Sequence, residues 1–412
     1  MRFFQNIPTI KYRYYDPKKK VLGKTMEEQL RIAICFWHTF CWEGNDMFGL
    51  PTFHRPWLRT PADKIRAGFE FLEKMGLKYF TFHDVDVAPG RVPLKKMADL
   101  MAKEMQKTKT ELLWGTANLT GHPRYLAGAA TNPDPDVFAY AVRQVKAALD
   151  TTHQLGGHNY VLWGGREGYE TLLNTDMKQE LDQYGKFLSL LVEYKHKIGF
   201  KGFLLIEPKP CEPLKHMYDF DCANAFAFLQ KYGLEREFKF NIETNHATLA
   251  GHTLAHEISY AIAHNVFGSL DANEGDLLLG WDTDQFPLDV TEYTHALYLI
   301  IKNGGFTSGG LNLDAKVRRQ SIELSDLFFA HINGVDTLAR ALLEAEKLIK
   351  KGRLEKFIKE RYKGWETHFG KEILQGKMSF EAIAKHAEKH SLNPKPKSGR
   401  QEFLEGVLRD VL

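Results

Sequence analysis

Short apolar runs, each closed by a polar cluster, alternate along this chain with stretches of helical period. The runs at residues 32–37, 79–82, 111–114, 160–163, 203–206, 238–242, 266–270 and 310–313 read as strands, too short for helices and bounded by Gly, Asn, Asp and Pro. Amphipathic segments lie between them. The clearest opens at Thr60, a capping residue, with Pro61 at the first helical position and Asp63 in the first turn. Ile65, Phe69 and Leu72 recur on one face, and Gly76 stops the helix. Eight strands alternating with helices in a chain of this length predict an α/β fold, a closed (β/α)8 TIM barrel. An open doubly wound sheet would want a Gly-rich phosphate-binding turn after its first strand, where this chain has Trp37-His38-Thr39-Phe40.

From about residue 346 the pattern changes to charged helical stretches at 347–359 and 380–390, with Pro394 and Pro396 in a loop. An arm of that kind has little core of its own and either wraps back onto the barrel or lies across a partner. The expected organisation is an N-terminal extension over residues 1–29, the catalytic barrel over 30–345, and a C-terminal helical arm for subunit contact over 346–412.

Active sites of such barrels lie at the C-terminal ends of the strands, and the acids of this chain concentrate there. Glu207, Glu243, Asp271 and Asp314 follow different strands and could converge on one ion. Asp282 and Asp284 sit in a loop, spaced to reach a second ion beside His246, with Glu243 as the bridge. Acids crowded in a pocket repel one another unless something positive sits among them. Oxygen ligands with a single imidazole suit hard divalent cations such as Mg²⁺ or Mn²⁺. Taken singly, each acid could equally cap a helix or pair with a rim lysine; the recurrence at strand ends favours metal.

Lys209 stands two residues past Glu207 between Pro208 and Pro210, placed to donate a hydrogen bond to a substrate oxygen and to offset the negative ring. His83, directly after an aromatic strand, pairs with Asp86, whose carboxylate would fix the imidazole tautomer while the histidine moves a proton. Trp37, Trp163 and Phe48 are aromatic and near strand ends, where packing explains aromatics more often than ligand contact does. Gly164-Gly165 after Trp163 lets a ligand approach the backbone closely.

Composition narrows the function further. The 412 residues carry 55 Lys and Arg against 52 Asp and Glu, a formal net charge of +3, without the basic excess of a nucleic-acid footprint. A metallohydrolase barrel acting on DNA would want that excess and a histidine-rich zinc site. Cys35, Cys41, Cys211 and Cys222 lack C-x-x-C spacing, so free thiols in a reducing cytosol are expected. The first twenty residues carry charges and proline where a signal peptide would be apolar, and no uncharged run approaches the roughly 20 residues of a membrane span. The expectation is a cytoplasmic protein with no membrane or nucleic-acid partner.

Several long strings are specific. Val161-Leu162-Trp163-Gly164-Gly165-Arg166-Glu167-Gly168-Tyr169-Glu170, Ile206-Glu207-Pro208-Lys209-Pro210, Phe82-His83-Asp84-Val85-Asp86-Val87, Asn245-His246-Ala247-Thr248 and Gly280-Trp281-Asp282-Thr283-Asp284 resemble the xylose isomerase family, in its longer class. The resemblance runs from about Val21 to the end. It implies two divalent cations per subunit (Mg²⁺, Mn²⁺ or Co²⁺), the first held by Glu207, Glu243, Asp271 and Asp314 and the second by Glu243, His246, Asp282 and Asp284. It also implies a homotetramer embraced by the C-terminal arms and a small-molecule sugar substrate. The implied reaction interconverts D-xylose and D-xylulose, with glucose and fructose as a side reaction, by ring opening and a 1,2-hydride shift. Lys209 would then bind the sugar O1, His83 oriented by Asp86 would assist ring opening, Trp37 and Trp163 would wall the sugar, and Phe48 would enter the adjacent subunit's pocket. Two positions depart from the family. Thr120 stands where phenylalanine is usual, which bears on substrate preference, and Glu274 replaces a common arginine, shifting local charge by about two units near the expected metal loop.

Overall fold

A computed structural model describes residues 2–412, which divide into two compact units, one ending at Leu342 and the other running from Leu343 to Leu412. In the first unit eight parallel strands close on themselves: β1 (Ala33–Cys35), β2 (Tyr79–His83), β3 (Glu111–Thr116), β4 (Asn159–Trp163), β5 (Phe203–Glu207), β6 (Phe238–Glu243), β7 (Phe267–Asp271) and β8 (Leu311–Leu313). Strand order follows the chain. The ring is sealed where Asn312 and Leu313 of β8 pair with Ala33 and Ile34 of β1. A helix follows each strand: α1 (Pro61–Met75), α2 (Leu94–Thr108), α3 (Pro135–Gln154), α4 (Met177–Ile198), α5 (Cys222–Lys231), α6 (Leu254–Ala263), α7 (Val290–Lys302) and α8 (Leu324–Lys351). All eight strands fall on the apolar runs of the sequence, because strands covered by helices outside and packed side chains inside are apolar on both faces.

Helix α1 forms as its sequence dictates. The Thr60 hydroxyl accepts the Asp63 N–H at 3.0 Å, Pro61 sacrifices no hydrogen bond at the first position, and Gly76 ends the helix with φ 65°. Its buried face carries Ile65, Phe69, Phe71 and Leu72 against the barrel. Gly68 lets the helix approach closely, since a Cβ there would lie 2.5 Å from the Phe36 ring.

Two elements differ from the sequence expectation. The first strand ends at Cys35, and Trp37–Cys41 winds into a π-helical turn closed by Trp42 N–H donating to the Trp37 carbonyl at 2.9 Å. Hydrophobicity alone could not locate this break: Phe36 and Phe40 are both fully buried, their rings 5.0 Å apart, so the run stays apolar while the backbone changes direction. Such single wide turns often sit at functional sites. The charged stretch at 347–359 is also not one helix, because Gly352, with φ 60°, separates α8 from a further helix at Arg353–Tyr362.

Inside the barrel, several polar side chains pair with one another. Thr81 donates to Asn312 at 2.8 Å, and Asn159 and Ser308 hydrogen-bond each other, Ser308 Oγ donating at 2.6 Å. Beside them Ala33, Tyr79, Leu113, Trp114, Val161 and Leu205 form an apolar cluster. The N-terminal segment is tied to the barrel unit. The N–H groups of Phe3 and Phe4 donate to the Glu70 carboxylate, those of Arg13, Tyr14 and Tyr15 donate to Asp336, and the Phe4 ring is buried against Trp57, Phe71 and Phe328.

The second unit contains the end of α8 and helices at Arg353–Tyr362, His368–Leu374, Phe380–Lys389 and Gln401–Arg409. Trp365, Leu374, Phe380 and Phe403 are exposed on it. The four cysteines are free thiols. Among the described residues no helix is long and apolar enough to cross a membrane. Replacing the α1 cap by Thr60→Ala is expected to cost about 1 kcal/mol of stability, read as a lower denaturant midpoint at unchanged slope.

Candidate active site

Parallel pairing at the strand ends brings the acids together. Glu243 ends β6 opposite Asp271 of β7, Asp271 lies opposite Asn312 of β8, and Glu207 ends β5 opposite Trp163 of β4. Glu207, Glu243, Asp271 and Asp314 each place a carboxylate oxygen within 4.8 Å of the others. Glu243, Asp282 and Asp284 make a second such group, and Glu207, Glu243 and His246 a third, so Glu243 belongs to all three. Burial, and after it the neighbouring acids, pushes the carboxyls of Glu207, Glu243, Asp271 and Asp314 well above the ordinary range. Asp282 moves the other way: burial opposes its charge, but the Lys209 ammonium and His246 hold it well below the usual value.

His246 shows what the cluster is built to hold. Its Nδ1 lies 3.0 Å from the Pro208 carbonyl, which can only accept, so Nδ1 carries the proton. Burial, followed by the Lys209 charge, lowers its pKa and keeps the ring neutral. The bare Nε2 lone pair therefore faces Glu243 Oε2 at 3.1 Å and Asp282 Oδ2 at 3.3 Å. The Lys209 ammonium covers the Asp282 oxygen, but a lone pair this close to the Glu243 oxygen repels it unless a proton or a metal cation lies between them. Asp271 adds to the argument, since its Oδ2 is buried without a hydrogen-bond partner. A donor set of carboxylates and one imidazole fits a hard divalent cation.

Lys209 is buried with its Nζ 2.5 Å from Asp282 Oδ2 and 5.2 Å over the Trp163 ring. Burial acts to lower its pKa, but Asp282 and Glu243 outweigh it and keep the ammonium charged. Its backbone N–H donates to the Asp219 carbonyl at 2.9 Å, which fixes the Pro-braced loop. On the other side of the barrel mouth, Asp86 Oδ2 accepts from the His83 backbone N–H at 2.7 Å and lies 3.2 Å from His83 Nδ1. A carboxylate so placed keeps the proton on Nδ1 and leaves the ring's lone pair on Nε2. Trp37 joins the two halves: its ring is 4.4 Å from that of His83, and its Nε1–H donates to Asp314 Oδ1 at 2.7 Å.

Phe48 is placed differently, in a loop where it is 79 % exposed and packs against Trp281 at 6.1 Å. The close approach allowed by Gly164 and Gly165 is made by protein atoms. A Cβ on Gly164 would lie 2.5 Å from the buried Asp219 carboxylate, and Gly165 packs against the Thr120 methyl. Thr120 completes a turn in which its N–H donates to Asn118 Oδ1 at 3.2 Å. Glu274 turns its carboxylate to the N–H groups of Leu288 and Asp289 just ahead of α7, so its charge faces a helix start.

Several supporting residues carried no separate sequence signal. Asn273 donates its amide to Glu243 Oε1 at 2.7 Å, to Asp284 Oδ1 at 3.3 Å and to the Asp314 carbonyl at 3.0 Å. Asn241 and Asn312 do the same for Glu207 and Asp271. His38 Nε2 lies 3.1 Å from Asp284 and 3.2 Å from Asp314, and Lys316 Nζ lies 2.8 Å from Asp284. Lys64 is buried and donates to the Asp86 carbonyl at 2.6 Å, while Trp114 packs 5.5 Å from Trp37. Proximity in sequence was the available hint: Asn273 and Lys316 each stand two residues past a strand-end acid, and His38 adjoins Trp37.

Comparison with known proteins places the chain in a family. Residues 69–283 match the family model described as a xylose isomerase-like TIM barrel, and residues 358–412 match the XylA2 C-terminal domain. Proteins named xylose isomerase from Haemophilus influenzae (strain PittGG) and Enterobacter sp. (strain 638) are 54 % and 55 % identical to it, each over 97 % of this chain and 94 % of the relative. Among solved structures, a D-tagatose 3-epimerase-like protein superposes with a TM-score of 0.53 at 11 % identity, covering 69 % of this chain and 95 % of that one. An L-ribulose 3-epimerase does so at 0.50 and 14 %, covering 78 % and 97 %. At such identities these two speak for the fold alone, whereas identity above one half over nearly the full length speaks for descent: the chain belongs to the xylose isomerase family of enzymes.

Proposed function

We propose that this enzyme interconverts D-xylose and D-xylulose, with D-glucose and D-fructose as a side reaction, by ring opening followed by a 1,2-hydride shift. The observation that carries the reading is the bare Nε2 of His246 converging with Glu243 and Asp282 beside four strand-end carboxylates. Glu207, Glu243, Asp271 and Asp314 would hold one cation and Glu243, His246, Asp282 and Asp284 a second, with Mg²⁺, Mn²⁺ or Co²⁺ as the fitting ions. When bound, they supply Lewis-acid polarisation of the sugar's O1 and O2.

The chain's own residues do the rest. His83, with Nδ1 held by Asp86, accepts the anomeric hydroxyl proton at Nε2 and returns it to the ring oxygen, which opens the sugar. Lys209 donates from Nζ to O1 as C1 becomes an alcohol carbon and negative charge gathers there. The hydride passes from C2 to C1, O2 gives up its proton and O1 gains one, so the aldose and ketose differ by no atom. Trp37 and Trp163 wall the reacting carbons and exclude water, which strengthens the electrostatics of the site. Phe48, exposed in the single chain, suits contribution to a neighbouring subunit's pocket. A cytoplasmic homotetramer, with residues 346–412 as the contact arm, completes the reading.

Exhaustive chelation should abolish turnover, and Mg²⁺ or Mn²⁺ should restore it; unchanged turnover would reject the metal role. Metal-free protein should also lose stability as pH rises above the ordinary carboxylate range. Carboxyls of Glu207, Glu243, Asp271 and Asp314 raised above 3.8 and 4.5 leave the folded state holding more protons than the unfolded chain once pH passes those values, and four such groups outweigh the single opposing shift of His246, lowered from 6.5. Melting temperatures as pH rises, with and without Mg²⁺, check the sign. Lys209→Met should lower kcat by about 10²–10³ with the fold intact by circular dichroism, and near-normal kcat would remove the lysine from the mechanism. Deuterium placed at C2 of xylose should appear at C1 of xylulose; its exchange into solvent would favour an enediol instead.

A further inference from the structure

We propose that Asp221, His252, His256 and Glu257 form a separate binding site for a transition-metal dication of the Zn²⁺ type, built between the start of α5 and the start of α6. His252, His256 and Glu257 each offer a ligand atom within 4.8 Å of the others. His252 Nδ1 stands 2.6 Å from Glu257 Oε1, His256 Nε2 stands 4.0 Å from the same oxygen, and Asp221 Oδ2 is 4.0 Å from His252 Nδ1. Four ligands at the usual Zn–N and Zn–O lengths are separated by about 3.3 Å, so each of these spacings needs to change by less than about 1 Å, within the reach of side-chain rotation.

Both carboxylates are anchored by a backbone N–H at one oxygen and turn the other toward His252, which Glu257 Oε1 already meets in a hydrogen bond. Asp221 uses Oδ1 to cap α5, accepting the Asn224 N–H at 2.7 Å, which leaves Oδ2 toward His252. Glu257 uses Oε2 to accept the Cys222 N–H at 2.9 Å, which leaves Oε1 toward the two imidazoles. Anchoring of this kind orients a ligand before the ion arrives. The two imidazole rings lie 4.6 Å apart, and the His256 side chain is 55 % exposed, so an ion can enter from solvent. Two imidazoles with two carboxylates select a borderline ion over Mg²⁺, in contrast to the oxygen-rich strand-end cluster.

The position gives such an ion a structural consequence. His252 N–H donates at 2.9 Å to the carbonyl of Ala247, in the short helix Thr244–Leu249 that carries His246. A cavity of about 10 Å³ separates Asp221, Cys222 and Glu257 from Glu243 and His246. A Zn²⁺ ion here would pin α5, α6 and that short helix to one another from behind the strand-end acids.

The test compares wild-type protein with His256→Gln and with the double variant His252→Gln/His256→Gln, all full-length. Equilibrium dialysis against Zn²⁺ should find one equivalent more per chain in wild type than in the double variant. Co²⁺ loading should give wild type an intense four-coordinate visible band that weakens in His256→Gln and vanishes in the double variant, while the weak absorption of the oxygen-rich sites persists in all three. Circular dichroism and xylose turnover at saturating Mg²⁺ report that the variants are folded. Equal Zn²⁺ stoichiometry in the three proteins, or a Co²⁺ spectrum indifferent to both substitutions, overturns the proposal. Neither outcome bears on the sugar chemistry, whose residues are untouched.

Discussion

Mutual repulsion among buried carboxylates is the constraint around which this barrel is arranged. Two unit charges 4 Å apart at an effective dielectric of 20 repel by about 4 kcal/mol, and Glu243 has several acidic neighbours at such range. The fold answers with neutral donors and fixed cations. Asparagine amides at 241, 273 and 312 each hold a carboxylate in place, and Lys209 and Lys316 neutralise Asp282 and Asp284 from opposite sides. What no amide or ammonium bridges is the approach of the His246 lone pair to Glu243 Oε2.

Much of the architecture was legible because β-strands inside a ring of helices are apolar on both faces. Every strand of the barrel lies on an apolar run, and the cap at Thr60 with the stop at Gly76 placed α1 to the residue. The failures have one cause in common. Periodicity reports burial, and backbone geometry can change while burial does not: Phe36 and Phe40 stay in the core across the turn from strand to π-helix, and only Gly352 marks the break after α8.

The candidate site was legible wherever chemistry required an unusual residue at a strand end, as for Glu207, Glu243, His246, Asp271 and Asp314. It was less so where a common residue does a specific job. Nothing in an asparagine or a lysine announces that Asn273 spans two acid groups or that Lys64 steadies the turn carrying Asp86. The glycines after Trp163 mislead in an instructive way: they do permit close approach, but Asp219 and Thr120 use the space. Glu274, a change of sign on paper, is absorbed by the backbone ahead of α7.

The hydrogen bond from Trp37 to Asp314 crosses the seam where the ends of the barrel meet, 277 residues apart in sequence. The His83–Asp86 pair belongs to an early strand and the acids to the later ones, so neither half holds the whole candidate site alone. During biosynthesis the pocket consequently cannot close until the chain has been made past Asp314. A lesion that merely loosens the β8–β1 junction would silence chemistry while leaving every reacting group chemically whole.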